Sequence, residues 1–283
     1  MDNVQELYKR VLNGDGLSLK ESQTIFLDIQ RRDPGSTHDA MKKYVSAAGQ
    51  NTYQILVAEI ADQFLAKRML DLGCGTGDLV RYLGRAFNHS YSGIDQSESE
   101  IAIARKSFPD WSFDFGRAEA MPYGRNEFEC IVSHMFLHMV SDLGGTLSEI
   151  RRVLKPGGVF VSLYRDPGYV NSNLKGIREI IWGYISKNYP KFSFKVGNHK
   201  QGDSPCLEEQ MFSHDFKLRA QNAMVLKDQG SPAKVSETVV RMFPGALLPM
   251  EDQKILASEI QSYLEQNQID VEFGFKTILV SKE

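Results

Sequence analysis

At 283 residues, with 42% apolar and 24% charged residues and a formal net charge of -3, the chain has the composition of an ordinary globular protein, long enough for a full core and a second lobe. The weakly acidic balance lacks the global basic footprint of a nucleic-acid binder, the charged opening MDNVQELYKRVLNGDG reads as no signal peptide, and no run of about 18 apolar residues is present. A cytoplasmic protein with neither a nucleic-acid nor a membrane partner is expected, and Cys74, Cys130 and Cys206, odd in number and without C-x-x-C spacing, give no disulfide framework and no metal site.

In chain order, residues 2–12 and 20–32 have helical periodicity, separated by NGDGLS, whose glycines turn the chain and whose Ser18 is a candidate N-cap. DPGST breaks the pattern, and a third helical stretch runs from about His38 to Phe64. From Arg68 the texture changes to short apolar runs alternating with helix-period segments, the signature of βαβ units and a parallel sheet. Strands are expected at 68–73, 90–95, 112–117, 128–134 and 158–165, with helices at about 77–87, 97–108 and 142–154. KPGG closes the last of these helices. Beyond Arg165 the spacing predicts a helix over 170–189, a strand-like KFSFKV, and a sixth sheet strand in DFKLRAQNAMVLK. Helices at 234–243 and 250–267 and a final strand in EFGFKTILVSK complete the chain.

The glycine-rich turn is the most informative stretch. It reads Asp71-Leu-Gly73-Cys-Gly75-Thr-Gly77, whereas the dinucleotide fingerprint is G-x-G-x-x-G, with a helix N-terminus aimed at a pyrophosphate. An aspartate beside the turn repels a pyrophosphate and suits a ligand carrying an ammonium and a sulfonium. A second reading of Asp71 is a turn cap that bonds neighbouring amides. Asp95 ends the next expected strand, where ribose hydroxyls lie in an open α/β sheet; nicotinamide enzymes use the same device. Cys74 reads as a small turn filler, and Gly84 and Gly93 as packing or turn residues.

Together these residues resemble the class I S-adenosylmethionine-dependent methyltransferases over about residues 53–165. LDLGCGTG matches that family's glycine-rich motif and GIDQS its acidic ribose motif. RAEAMPY matches the adenine segment, FECIVSHMFLHMV the fourth strand and following helix, and EIRRVLKPGGVFVSL the approach to the fifth strand. The resemblance implies an α/β fold with a Rossmann-like, seven-stranded, mostly parallel sheet and helices on both faces. It implies a helical N-terminal segment or lid at 1–65, a cofactor core at 66–166, a substrate lid with the sixth strand at 167–268 and the last strand at 269–283. S-adenosylmethionine is the implied cofactor, held by Asp71, Gly73, Gly75, Gly77, Asp95, Gln96, Ala118, Glu119 and Ser133. Arg117 stands where the family usually has an acid that accepts from the adenine amino group. An arginine only donates, so either Glu119 supplies the acceptor or the adenine is held by shape.

Methyl transfer from a sulfonium is an in-line displacement at an activated carbon, so the protein's tasks are positioning and exclusion of water. Where the acceptor is a hydroxyl of high pKa, a base is needed, and His134 is the candidate catalytic residue; its other reading is a core or capping histidine. His138 reads as packed on the sheet, and Tyr44 and Tyr53 as closing one side of the cleft. Residues 180–200 join Trp182, Tyr184, Tyr189, Phe192 and Phe194 to Lys187, Lys191, Lys195 and Lys200. That segment is either an aromatic pocket with a cationic rim or an amphipathic cover with solvated lysines. The expected protein is a monomeric or homodimeric methyltransferase acting on an oxygen or nitrogen of a small molecule in specialised metabolism. The alternative is a protein of the same fold that binds the cofactor without methylating, as a sensor or a cyclisation catalyst. A nicotinamide-dependent dehydrogenase fits the turn less well.

Overall fold

A single eight-stranded sheet runs through the protein: β1 Tyr44–Val45, β2 Met69–Leu72, β3 Tyr91–Asp95, β4 Ser112–Phe115, β5 Phe128–His134, β6 Leu154–Arg165, β7 Phe216–Asp228 and β8 Glu272–Lys282, in spatial order β1-β7-β8-β6-β5-β2-β3-β4. The structure, a computed structural model, describes residues 4–60, 67–84, 90–166, 168–169, 171–194, 204–242 and 244–283. The strands β6, β5, β2, β3 and β4 pair in parallel, and β8, β7 and β1 are added antiparallel. All four residues of β2 are buried, as expected of a parallel strand covered on both faces.

Among the described residues the helices are α1 Val4–Asn13, α2 Leu19–Arg32, α3 Ser36–Met41, α4 Thr52–Ala58, α5 Glu98–Ser107, α6 Leu143–Val153, α7 Ser172–Asn188, α8 Ser204–Ser213, α9 Pro232–Arg241 and α10 Met250–Asn267. Local chemistry sets several of their starts. Ser18 and Glu21 form a reciprocal capping box on α2, Asn51 and Gln54 do the same for α4, and the Ser97 and Asp142 side chains cap α5 and α6. Such caps each contribute about 1 kcal/mol.

Several expectations change. The stretch His38–Phe64 is not one helix: it breaks at SAAGQN, where Gly49 has φ 77° and Asn51 restarts the helix, and Phe64 lies outside the described residues. The break leaves Tyr44 and Val45 extended against Asp228 and Lys227, which makes the eighth strand where seven were expected. The helix expected at 77–87 is a 3-10 turn, Asp78–Arg81, in its described part. Residues 192–194 of KFSFKV form no strand, Lys195 and Val196 lie outside the described residues, and α8 is a helix that the periodicity did not predict.

The sheet separates two apolar clusters. One packs Leu56, Ile60, Ile177, Ile181, Leu256 and Phe275 on one face. The other packs Leu70, Phe128, Leu147, Phe160 and Met211 on the opposite face. A smaller cluster of Leu7, Val11, Ile25 and Leu247 docks α1 and α2 on the body. Among the described residues no helix is long and apolar enough to cross a membrane. The chain order fixes where the site lies: β3 and β4 go to one side of β2, and β5 returns to the other. A crevice therefore opens at the carboxyl ends of β2 and β5, the switch point of the sheet.

Candidate cofactor cleft

Gly73, Gly75 and Gly77 follow β2 with φ values of 76°, 54° and 77°, a left-handed backbone that side chains resist. At Gly73 a Cβ would also lie 2.4 Å from Cγ of Phe136. The turn is tied down by Gly73 and Cys74 N–H groups donating to Ile94 O at 2.9 and 3.0 Å. A cleft open to solvent lies beside it, lined by Gly73, Gly75, Asp95 and Glu100. A second lobe, lined by Ala118 and Glu119, shares Gly73, Asp95, Gln96, Phe136 and Met139 with the first. Phe136 stands between them because Met135, at φ 53°, turns the chain sharply after β5.

The wall of the larger lobe is acidic. Asp95 accepts from the Gly75 N–H at 3.0 Å and the Ser97 N–H at 2.9 Å, with the Gln96 N–H a third donor, which fixes both oxygens. Burial nonetheless raises its pKa. Asp71, 2% exposed, accepts from the Tyr91 hydroxyl at 2.9 Å, and burial pushes its pKa up to about 7. Its partner is thus a phenol on β3, and no turn amide donates to it among the described residues. Asp78 accepts from Thr76 Oγ1 and, at 2.6 Å, from Arg81 Nε. Glu100 is the feature that the motifs did not reveal. It is 5% exposed, its Oε1 accepts from the Gly35 N–H at 3.2 Å, and its Oε2 is buried without a partner. Burial lifts its pKa to about 7. Among the described residues no lysine or arginine lines either lobe, and no set of three or more His, Cys, Asp or Glu converges to hold a metal.

Helices α2 and α3 roof the cleft with Phe26, Gln30, Gly35, Thr37 and His38. Sequence periodicity located those helices but gave no sign of what they cover. Tyr53 also lines the cleft, stacked on His134 at 3.9 Å and on Tyr82 at 5.2 Å. Tyr44 does not: it is fully buried against Phe273 and Phe275, because β1 carries it to the far edge of the sheet.

The remaining expected residues separate as follows. Ala118 and Glu119 line the smaller lobe, where Arg117 pairs with Glu119 at 3.5 Å. The Ser133 side chain is fully buried, pairs with Ser162 in the sheet and is absent from both linings, since alternation along β5 turns it into the core; the resemblance assigns the ligand contact to its main chain. His134 reaches the cleft, but its Nε2 lies 2.9 Å from Thr52 Oγ1, and burial depresses its pKa to about 3. An imidazole so disfavoured as a cation is a weak proton acceptor. His138 is exposed instead of packed on the sheet. Cys74 is buried, and burial raises its thiol pKa, in keeping with a turn filler. Gly93 packs tightly, with a hypothetical Cβ 2.8 Å from Phe113.

The sequence profile of a family described as "Methyltransferase domain" matches residues 70–162. The chain is 31% identical over 126 residues to a demethylmenaquinone methyltransferase of Chlorobaculum parvum, a match covering 43% of this chain and 52% of that protein. To a ubiquinone/menaquinone biosynthesis C-methyltransferase of Desulfotalea psychrophila it is 31% identical over 180 residues, covering 62% of this chain and 68% of that one. The chain thus spans about half the length of the first of these relatives and two thirds of the second. The crystal structure of the [4+2]-cyclase SpnF superposes with a TM-score of 0.58 at 17% identity, covering 94% of this chain and 96% of that one. At that identity the likeness is one of fold.

Proposed function

The chain therefore belongs to the class I S-adenosylmethionine-dependent methyltransferases, and on that premise we propose that it moves a methyl group from S-adenosylmethionine to a small-molecule acceptor. The observation that carries this reading is the buried acidity around Gly75, where Asp95 and Glu100 flank the turn and Asp71 lies beneath it. A ligand with an ammonium and a sulfonium fits these residues, and it would satisfy the partnerless Oε2 of Glu100. A pyrophosphate would be repelled.

In this reading Asp95 and Gln96 hold the ribose, Ala118 and Glu119 the adenine, and Asp71, Gly73, Gly75, Gly77 and Glu100 the methionine end. Bound there, the cofactor supplies a methyl carbon already activated by its sulfonium. The chain's own residues exclude water and fix the approach: α2 and α3 roof the cleft, and the Tyr53–His134 stack forms its wall below. His134 acts as a positioning residue that is neutral near pH 7. Ser133 acts through its main chain, on the strand that carries His134. The segments 1–65 and 167–268 serve as covers over the core at 66–166. A site without a strong base suits an acceptor atom that is nucleophilic as it arrives. The relatives' names record demethylmenaquinone and carbon methylation, and carbon therefore joins oxygen and nitrogen as an acceptor atom to assay.

Calorimetric titration with S-adenosylmethionine and, separately, NAD tests the cofactor. Saturable one-to-one binding of the first and none of the second is expected; the opposite result would overturn the reading. Release of S-adenosylhomocysteine is then expected on addition of one member of a panel of small acceptors.

A further inference from the structure

A second and larger space lies off the neighbouring strand. It is an open groove, with room of about 370 Å³, between α7, the residues that follow it, and α9, and its walls are mostly apolar. Leu174, Ile177 and Ile181 recur on one face of α7. Trp182 is 49% exposed beside it, edge-on to Phe192 at 6.1 Å. The only charged residues in the lining are Arg165 and Arg178; no carboxylate lines the groove among the described residues.

The two arginines are the unusual feature. Arg165 is half-buried, with its guanidinium 4.1 Å from the centre of the Phe273 ring. Arg178, a like charge, acts on it across the groove. Neither arginine has an ion-pair partner among the described residues. Taking a guanidinium partly out of water beside a second cation is unfavourable until an anion bridges them. Arg165, the less exposed of the two, faces an open apolar groove.

The groove opens one strand away from the cleft. Arg165 ends β6 two residues after Leu163, which pairs with His134 and accepts from the Met135 N–H at 2.8 Å. Of the lysines expected as a cationic rim, Lys187 and Lys191 are exposed and absent from the lining, and Lys195 and Lys200 lie outside the described residues. Tyr184 and Tyr189 instead donate to Asp252 on α10.

We infer that this groove seats the methyl acceptor, an amphipathic small molecule whose apolar body lies along α7 and whose single anionic head is bound by Arg165 and Arg178. The inference rests on the methyltransferase reading above. The test uses the full chain saturated with S-adenosylmethionine, titrated with dodecanoate, dodecyl phosphate and dodecanol, followed by calorimetry and by tryptophan fluorescence. At least one of the two anions is expected to bind one-to-one, with dodecanol about tenfold weaker; the tighter anion identifies the head group. Arg178 is exposed, so Arg178→Gln should fold, and it should weaken the anion about fivefold or more while leaving dodecanol unchanged. Arg165→Gln should do the same if it folds. Dodecanol binding as tightly as the anions, or an Arg178→Gln variant with wild-type anion affinity, overturns the inference. Cofactor binding measured in the same preparation separates the two readings: cofactor bound without either anion sinks the groove alone, and anion bound without cofactor sinks the methyltransferase reading.

Discussion

Glu100 and Asp71 keep their protons to about pH 7 because burial penalises the carboxylate more than their hydrogen bonds reward it. A pKa raised on folding gives stability that is complete below the unfolded value and lost as pH rises through the folded one. The ligand-free protein should therefore melt at a lower temperature as pH rises from about 4 to 8. Glu100→Gln should flatten that slope and raise stability at pH 8 by roughly 1–3 kcal/mol, while weakening S-adenosylmethionine. Melts of the two proteins that run parallel across pH would refute this assignment. His134 has the opposite sign. Its folded pKa is depressed to about 3, so its contribution is intact above about pH 6.5 and lost as pH falls toward 3. With both substrates saturating, kcat should show no ascending limb between about pH 5 and 7 that disappears in His134→Gln; finding one would restore the histidine as a base.

At the scale of elements, the cleft is a joint product of the sheet and of helices distant in sequence. Asp95 and the glycines are fixed by β2, β3 and their turns, while the Gly35 N–H at the start of α3 crosses to Glu100 on α5. A ligand that engages Glu100 and the turn should therefore also steady α2 and α3. Amide hydrogen exchange over residues 19–41 should slow when S-adenosylmethionine binds, whereas α10, which does not line the cleft, should keep its rate. Equal protection of both regions, or of neither, would separate the N-terminal helices from the site. The motifs could not reveal this arrangement. Ser97 and Glu100 look like an ordinary helix cap followed by an acid in the first turn, and only the docking of α3 turns that acid into a buried, half-satisfied group.

For the molecule as a whole, β8 joins the two halves of the sheet, pairing with β6 on one side and β7 on the other. Phe275 on that strand is fully buried and packs on Tyr44 at 5.9 Å. Phe275→Ala should cost about 3–5 kcal/mol, read from denaturant unfolding. A loss below about 1 kcal/mol would mean that the C-terminal strand is not integral to the core.

What the sequence by itself determined was local: the acid-flanked glycine turn, Asp95 at a strand end, Ala118 and Glu119 beside it, and the alternating order that makes an open α/β sheet. Those features depend on residues a few positions apart, where backbone conformation and hydrogen bonding are set by near neighbours. Tertiary structure alone decided that Ser133 is sealed in the sheet, that His134 is stacked and desolvated beneath Tyr53, that Tyr44 belongs to a far edge strand, and that Arg165 meets Arg178 across an apolar groove. Burial and the company of distant charges, which shift a titrating group more than its own chemistry does, come into being only when segments far apart in the chain are packed together.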